Sequence, residues 1–151
     1  MKRAACISPC GQYRYWLTRE WGEGSRCVAF VGLNPSTADG ETDDPTIRRC
    51  VAFAKSWGYD SLAMLNLFAF RATQPADPVG PDNDQWLRIA SASAAITVTA
   101  WGVDGTFKGR FVDVRPHLTR LHYLRLTKDG HPGHPLYLPA SLTPTPYGRT
   151  A

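Results

Sequence analysis

Residues 27–33 read CVAFVGL, and the next four residues read NPST. The first of these segments is apolar almost throughout, which is typical of a strand that is buried on both faces of a parallel sheet. Asn34 and Pro35 then end the strand and begin a loop. The segment therefore predicts a central strand with a polar loop at its carboxyl end.

Strands and helices alternate on the carboxyl side of this strand. Asp44 and Pro45 supply a cap and a first helical residue, and apolar residues then recur at helical spacing as far as Gly58. Further strands are predicted at residues 61–68, 95–101 and 121–126, and further helices at residues 82–91 and 106–118. Residues 13–21 alternate weakly, which indicates an edge strand. The alternation predicts an α/β fold with a parallel sheet covered on both faces.

The composition fits one globular domain over residues 1–151. The chain is 43% hydrophobic and 20% charged, which argues against disorder and against a two-domain enzyme. Seventeen Lys and Arg against thirteen Asp and Glu give a net charge of +4, which allows a nucleic-acid partner without requiring one. Neither a signal peptide nor an apolar run of about 20 residues is recognisable. We expect a cytoplasmic monomer with no membrane contact.

The four cysteines raise the question of a metal site. Four thiolates can complete a zinc or an iron–sulfur centre. Cys27, however, opens the buried strand, and Cys50 lies within a helical pattern, so this spacing favours small buried thiols over ligands. We therefore expect no metal and no cofactor.

Polar residues collect where the predicted strands end, which is where parallel sheets bind ligands. Gly32 lets a ligand approach the backbone, and Asn34 follows directly. Asn66 interrupts an apolar strand, and a buried amide without partners costs about 1–3 kcal/mol. A structural hydrogen bond and recognition of a base edge are both open explanations for Asn66.

Several cations near these ends are candidates for phosphate contacts. Arg48 and Arg49 lie in the first turn of the helix after Pro45, where positive charge opposes the helix dipole unless an anion is near. Arg71 follows the second strand, which favours a role in binding substrate or phosphate.

The tail places two histidines in a loop held by prolines, KDGHPGHPLYL at residues 128–138. For His131 and His134, an imidazole that donates to a developing oxyanion and a purely structural loop remain alternatives, and both rank above a metal ligand. A metal-dependent nuclease that uses Asp39, Asp43 and His134 is a weaker interpretation, because both acids precede a helix in one loop.

These segments together resemble an uncharacterised bacterial and phage family, a domain of unknown function. The motifs that carry the resemblance are LNPSTAD at residues 33–39, DPTIRRC at 44–50, NLFA at 66–69, RAT at 71–73, DPVGP at 77–81 and HPLYL at 134–138.

A more distant similarity is to the uracil-DNA glycosylase superfamily, through Gly-x-Asn-Pro after the first strand, an asparagine that closes the second and a late His-Pro loop. It implies a three-layer α/β/α sandwich with a central four-stranded parallel sheet. Asn34 would position the attacking water, Asn66 would read the base and His134 would stabilise the departing base. Further contacts to substrate are expected from Gly32, Leu33, Pro35, Ser36, Arg71 and Pro135, and contacts to DNA phosphates from Arg48, Arg49, Lys128 and His131.

This resemblance implies a DNA glycosylase-like hydrolase that cleaves the N-glycosidic bond of a damaged, mismatched or modified pyrimidine. The alternative is a non-catalytic protein that binds nucleic acid or nucleotides on the same fold.

Overall fold

The computed structural model describes residues 1–35, 38–71 and 78–147. The strands within them are β1 (Lys2–Ile7), β2 (Arg14–Glu20), β3 (Cys27–Gly32), β4 (Ser61–Asn66), β5 (Ile96–Thr99), β6 (Leu121–Tyr123) and β7 (Thr145–Pro146). The helices are α1 (Pro45–Ser56), α2 (Asn83–Ser93) and α3 (Arg110–Val114). The strands make one sheet in the spatial order β1-β2-β4-β3-β5-β6-β7. The chain is therefore a mixed α/β protein.

The middle of the sheet consists of β4, β3, β5 and β6, and neighbouring strands there are parallel. The whole sheet is larger than predicted, because β1 and β2 extend one edge and β7 extends the other, all in antiparallel pairings. The four strands predicted to be parallel thus form the middle of a larger, seven-stranded mixed sheet. Residues 13–21 contain β2 as a strand, but it lies between β1 and β4 and is not at an edge.

Helices cover both faces of the sheet. Val28 and Phe30 belong to the hydrophobic cluster that includes the buried side of α1. Ala29 and Val31 belong to a second cluster, which includes residues of α2 and α3. Because successive strand residues point to opposite faces, β3 must be apolar at every position to fill both clusters.

The start of α1 agrees with the sequence signal. Asp44 Oδ1 accepts a hydrogen bond of 2.8 Å from the Ile47 N–H, and Pro45 occupies the first turn. This cap satisfies one of the amide groups that a helix start leaves without an intrahelical partner. The predicted helix start is confirmed.

The segment after β5 differs from the prediction of one helix over residues 106–118. It forms 3-10 turns at Gly102–Gly109 and Arg115–His117 on either side of the short α3. Pro116 lies in the second turn, where its missing N–H costs no hydrogen bond. The tail, predicted to be loop throughout, contains a 3-10 turn at Pro135–Tyr137 and the two-residue β7. Among the described helices, none has the length and apolarity needed to span a membrane.

Candidate functional site

A cavity of about 580 Å³ lies at the carboxyl ends of β3 and β4. Gly32 pairs with Asn66 in the parallel register, so the last residues of the two strands lie side by side. The tail reaches the cavity through His134 and Tyr137, and the start of α1 reaches it through Thr46. The cavity is in the position at which open α/β sheets bind ligands.

Five of the residues predicted from the sequence line this cavity. They are Gly32, Leu33, Asn34, Asn66 and His134. Pro35 and Pro135 are buried neighbours of lining residues and do not themselves line the cavity. Ser36 lies outside the described residues.

Asn66 is held against the loop that carries Asn34. Its side chain is 1% exposed, and we assign its amide nitrogen to the position where it donates to the Asn34 carbonyl at 3.3 Å and the Leu65 carbonyl at 3.2 Å. Gly32 makes this approach possible, because a Cβ there would lie 2.9 Å from the same amide position of Asn66, which holds the nitrogen in this assignment. Asn34 itself is exposed. One amide is therefore fixed at the cavity wall, and the other is free to contact a ligand or a water.

The tautomer of His134 follows from a backbone contact. Its Nδ1 accepts a hydrogen bond of 3.2 Å from the Leu136 N–H, so the proton of the neutral ring lies on Nε2. Partial burial lowers the pKa of His134, and the negative charge of Asp44 opposes that shift. The ring is thus neutral near pH 7 and has one N–H available as a donor.

Two of the predicted phosphate and substrate contacts have other partners. Arg49 donates to the Leu138 carbonyl and lies over the Phe53 ring, so it ties α1 to the tail. Arg71 donates to the Gly11 carbonyl at 3.4 Å and does not line the cavity.

The remaining candidates lie outside the cavity. Arg48 and Lys128 are exposed, and Arg48 contacts the Asp43 carbonyl at 3.3 Å. His131 lines a separate pocket of about 240 Å³ together with Asp129. Of the two tail histidines, His134 is therefore the one that shares a cavity with Asn34 and Asn66.

The other residues that line the cavity include Arg14, Asp44, Trp101 and Tyr137, none of which was predicted to contact substrate. Asp44 was predicted as a helix cap, and Trp101 lies at the end of a predicted strand, where parallel sheets bind ligands. Tyr137 is 84% exposed, and its ring centroid lies 5.5 Å from that of His134. Tyr137 and the buried Trp101 are thus the aromatic side chains that line the cavity among the described residues.

Arg14 is a buried cation at the cavity wall. It is 2% exposed, and its Nη1 donates to the Ala38 carbonyl at 2.8 Å. Burial lowers the pKa of Arg14 to about 10, against the opposing effect of the Asp44 carboxylate, so the guanidinium stays charged at neutral pH. Its Nε has no hydrogen-bond partner among the described residues.

The acids of the metal-nuclease alternative have local partners. Asp43 forms an ion pair of 2.8 Å with Arg19, and Asp39 Oδ1 accepts the backbone N–H groups of Glu41 and Thr42. Those two hydrogen bonds lower the pKa of Asp39. In the described ranges, no three His, Cys, Asp or Glu side chains form a group that could hold a metal ion.

Comparison with known proteins assigns the chain to a family. Residues 14–136 match the family described as Protein of unknown function (DUF1643), and the chain belongs to that family. Searches of the curated proteins and of the solved structures each found no significant match.

Proposed function

We propose that this protein is a DNA glycosylase-like hydrolase that cleaves the N-glycosidic bond of a damaged, mismatched or modified pyrimidine in DNA. The observation that carries the proposal is that Asn34, Asn66 and His134 line one cavity at the carboxyl ends of β3 and β4. The likeness to the uracil-DNA glycosylase superfamily gives these three residues complementary roles.

The chemistry requires three kinds of contact. Asn34, which is exposed to the cavity, holds the water whose oxygen bonds to C1′ of the sugar. The bond from C1′ to the base nitrogen breaks with its electron pair on the base, and a proton from the water then neutralises the base. The Nε2–H of His134 donates to the oxygen on which negative charge develops, and Asn66 contacts the base edge.

The surroundings of the cavity suit an extruded nucleotide. Enzymes that act on a base take it out of the stack into a pocket. Tyr137 at the rim offers an exposed ring against which a base can stack. Arg48 and Lys128 are exposed cations available to the DNA backbone.

The test is base release from labelled oligonucleotides that carry uracil, mismatched thymine, or oxidised or hypermodified pyrimidines. Single-turnover rates at saturating protein isolate the chemical step from DNA affinity. We expect release from at least one substrate, with Asn34→Ala and His134→Ala each lowering the rate roughly 100-fold or more.

His131→Ala is the matched control, because His131 is in the same tail but lines a different pocket. A phosphate contact from His131 would change DNA affinity, which does not enter the single-turnover rate at saturating protein. Its single-turnover rate should stay close to that of the wild type. If no substrate loses its base while DNA is still bound, the protein is the non-catalytic nucleic-acid binding alternative. Release that survives both cavity substitutions would refute the assigned roles.

A further inference from the structure

Two charged residues at the cavity wall have no part in the chemistry above. Arg14 enters the cavity from the start of β2, and Asp44 enters it from the cap of α1. Both are buried, at 2% and 6% exposure. Because burial of charge is costly unless the charge is paired or used, their presence at a cavity wall needs a reason.

Each of these side chains keeps an atom that the protein does not use. Arg14 Nη1 donates to the Ala38 carbonyl, whereas the buried Nε has no hydrogen-bond partner within the described ranges. Asp44 Oδ1 caps α1, and its second oxygen accepts no hydrogen bond from the described residues. The wall thus offers one charged donor and one charged acceptor to a ligand.

The cavity has room for more than a bare base. The volume of about 580 Å³ lies within the range of roughly 300–1,000 Å³ that is usual for pockets of drug-sized ligands. A pyrimidine such as uracil has eight ring and carbonyl atoms, so a base seated against Asn66 leaves space beside it.

The charged residues around that space determine which chemical groups of a ligand can bind there. The ionisable residues that line the cavity are Arg14, Asp44, Asp104, His134 and Tyr137. Asp104 is exposed at the rim, and His134 is neutral near pH 7. A carboxylate would be attracted by Arg14 but repelled by Asp44. An ammonium group would be attracted by Asp44 but repelled by Arg14. A neutral group with both a carbonyl and an N–H satisfies both residues.

We propose that the cavity selects a pyrimidine that carries a carboxamide-like substituent, with Arg14 donating to the substituent's oxygen and Asp44 accepting from its N–H. Arg14 and Asp44 are then specificity residues. The inference rests on the proposed function only in that the occupant is a pyrimidine.

The test compares free nucleosides, so that it depends neither on catalysis nor on DNA binding. Calorimetry measures the affinity of the full chain for 5-carbamoylmethyl-2′-deoxyuridine and for the 5-isobutyl analogue, which has the same size and shape without polar atoms. We expect the amide probe to bind roughly tenfold tighter or better, since its two hydrogen bonds go to charged groups.

Two variants distinguish specificity from structural damage. Arg14→Gln should lower the ratio of the two affinities, because the substituent's oxygen loses its charged donor while Asp44 keeps its contact, whereas damage to the loop near Ala38 would weaken both probes alike. Asp44→Asn keeps an oxygen for the helix cap but removes the charge, so 5-carboxymethyl-2′-deoxyuridine should gain roughly tenfold relative to the amide probe.

Equal binding of the amide and isobutyl probes by the wild type, or no binding of any nucleoside, would overturn the inference. An unchanged ratio in Arg14→Gln would overturn it as well. If the probes are discriminated as expected but no oligonucleotide releases a base, the glycosylase proposal fails and the selectivity of the cavity stands.

Discussion

Gly32 lies where two strand ends approach most closely at the cavity. A Cβ at this position would come within 2.9 Å of both the Asn66 amide group and the Met64 methyl group. Both groups are at the ends of side chains, so the protein can fold by moving them. We expect Gly32→Ala to cost about 1–3 kcal/mol of unfolding free energy, measured by urea titration, and to lower base release at least about tenfold by displacing Asn66.

Gly40→Ala is the control for an added methyl group. A Cβ at Gly40 would have its nearest neighbour, the Ala5 backbone nitrogen, at 3.7 Å, which is an ordinary contact. Its free energy of unfolding should change by less than about 0.5 kcal/mol, with full activity. Normal activity of Gly32→Ala would show that the position of Asn66 does not matter for catalysis.

His134 gives the stability a dependence on pH whose sign follows from its surroundings. Its pKa in the folded protein is lowered by partial burial, so the unfolded chain binds the proton more readily. The contribution of neutral His134 to the free energy of unfolding is fully present above the pKa of the unfolded chain, about 6.5. It is lost as the pH falls through the lower pKa of the folded protein. Protonation also removes the Nδ1 acceptor of the Leu136 N–H.

We expect the wild type to lose more unfolding free energy between about pH 7.5 and about pH 5 than His134→Asn does. Asparagine at this position still has an oxygen that can accept the Leu136 N–H, but it does not titrate. All other ionisable groups are common to both proteins and cancel in the difference. Identical pH profiles would show that the ring is not held in its neutral form.

At the scale of elements, β3 and α1 were predictable because their local signals agree with their surroundings. A strand buried on both faces requires a continuous apolar run, and Asp44-Pro45 marks a helix start whatever the helix packs against. The strand β1, KRAACI, has no such signal, because its first three residues are exposed and its pairing with β2 is set by long-range contacts. The antiparallel edge therefore could not be predicted from its own sequence.

The same distinction explains which parts of the candidate site were predictable. The positions of Asn34 and Asn66 at the cavity were predictable, because parallel strands bring their carboxyl ends to the same end of the sheet. Arg14 is at the amino end of β2. It lies beside the carboxyl ends of the parallel strands only because β2 runs antiparallel to β4. Sheet topology thus places a residue from the start of a strand in the cavity. The local pattern of residues 13–21 does not indicate this topology.

The charge of the whole molecule bears on the proposed partner. The net charge of +4 is modest, so any affinity for DNA depends on where the cations lie. Arg48 and Lys128 are exposed on segments next to cavity residues, since Asp44 and Thr46 precede Arg48, and Thr127 precedes Lys128. Lys2 is also exposed, but it lies at the opposite end of the strands from the cavity. It pairs with Glu20, and Glu20 pairs with Ser61 at the start of β4, whereas the cavity is at the carboxyl end of β4.

If DNA lies across the cavity, these cations contribute differently to the salt dependence of binding. Each phosphate contact adds about 0.9 to the slope of log affinity against log salt concentration, because binding releases condensed counterions. We expect Arg48→Gln and Lys128→Gln each to reduce the slope by about one, measured by fluorescence anisotropy with an unmodified duplex. Lys2→Gln removes the same charge at the far end of the sheet and should leave the slope unchanged. Equal reductions in all three variants would mean that only net charge attracts DNA, and that the duplex has no fixed position over the cavity.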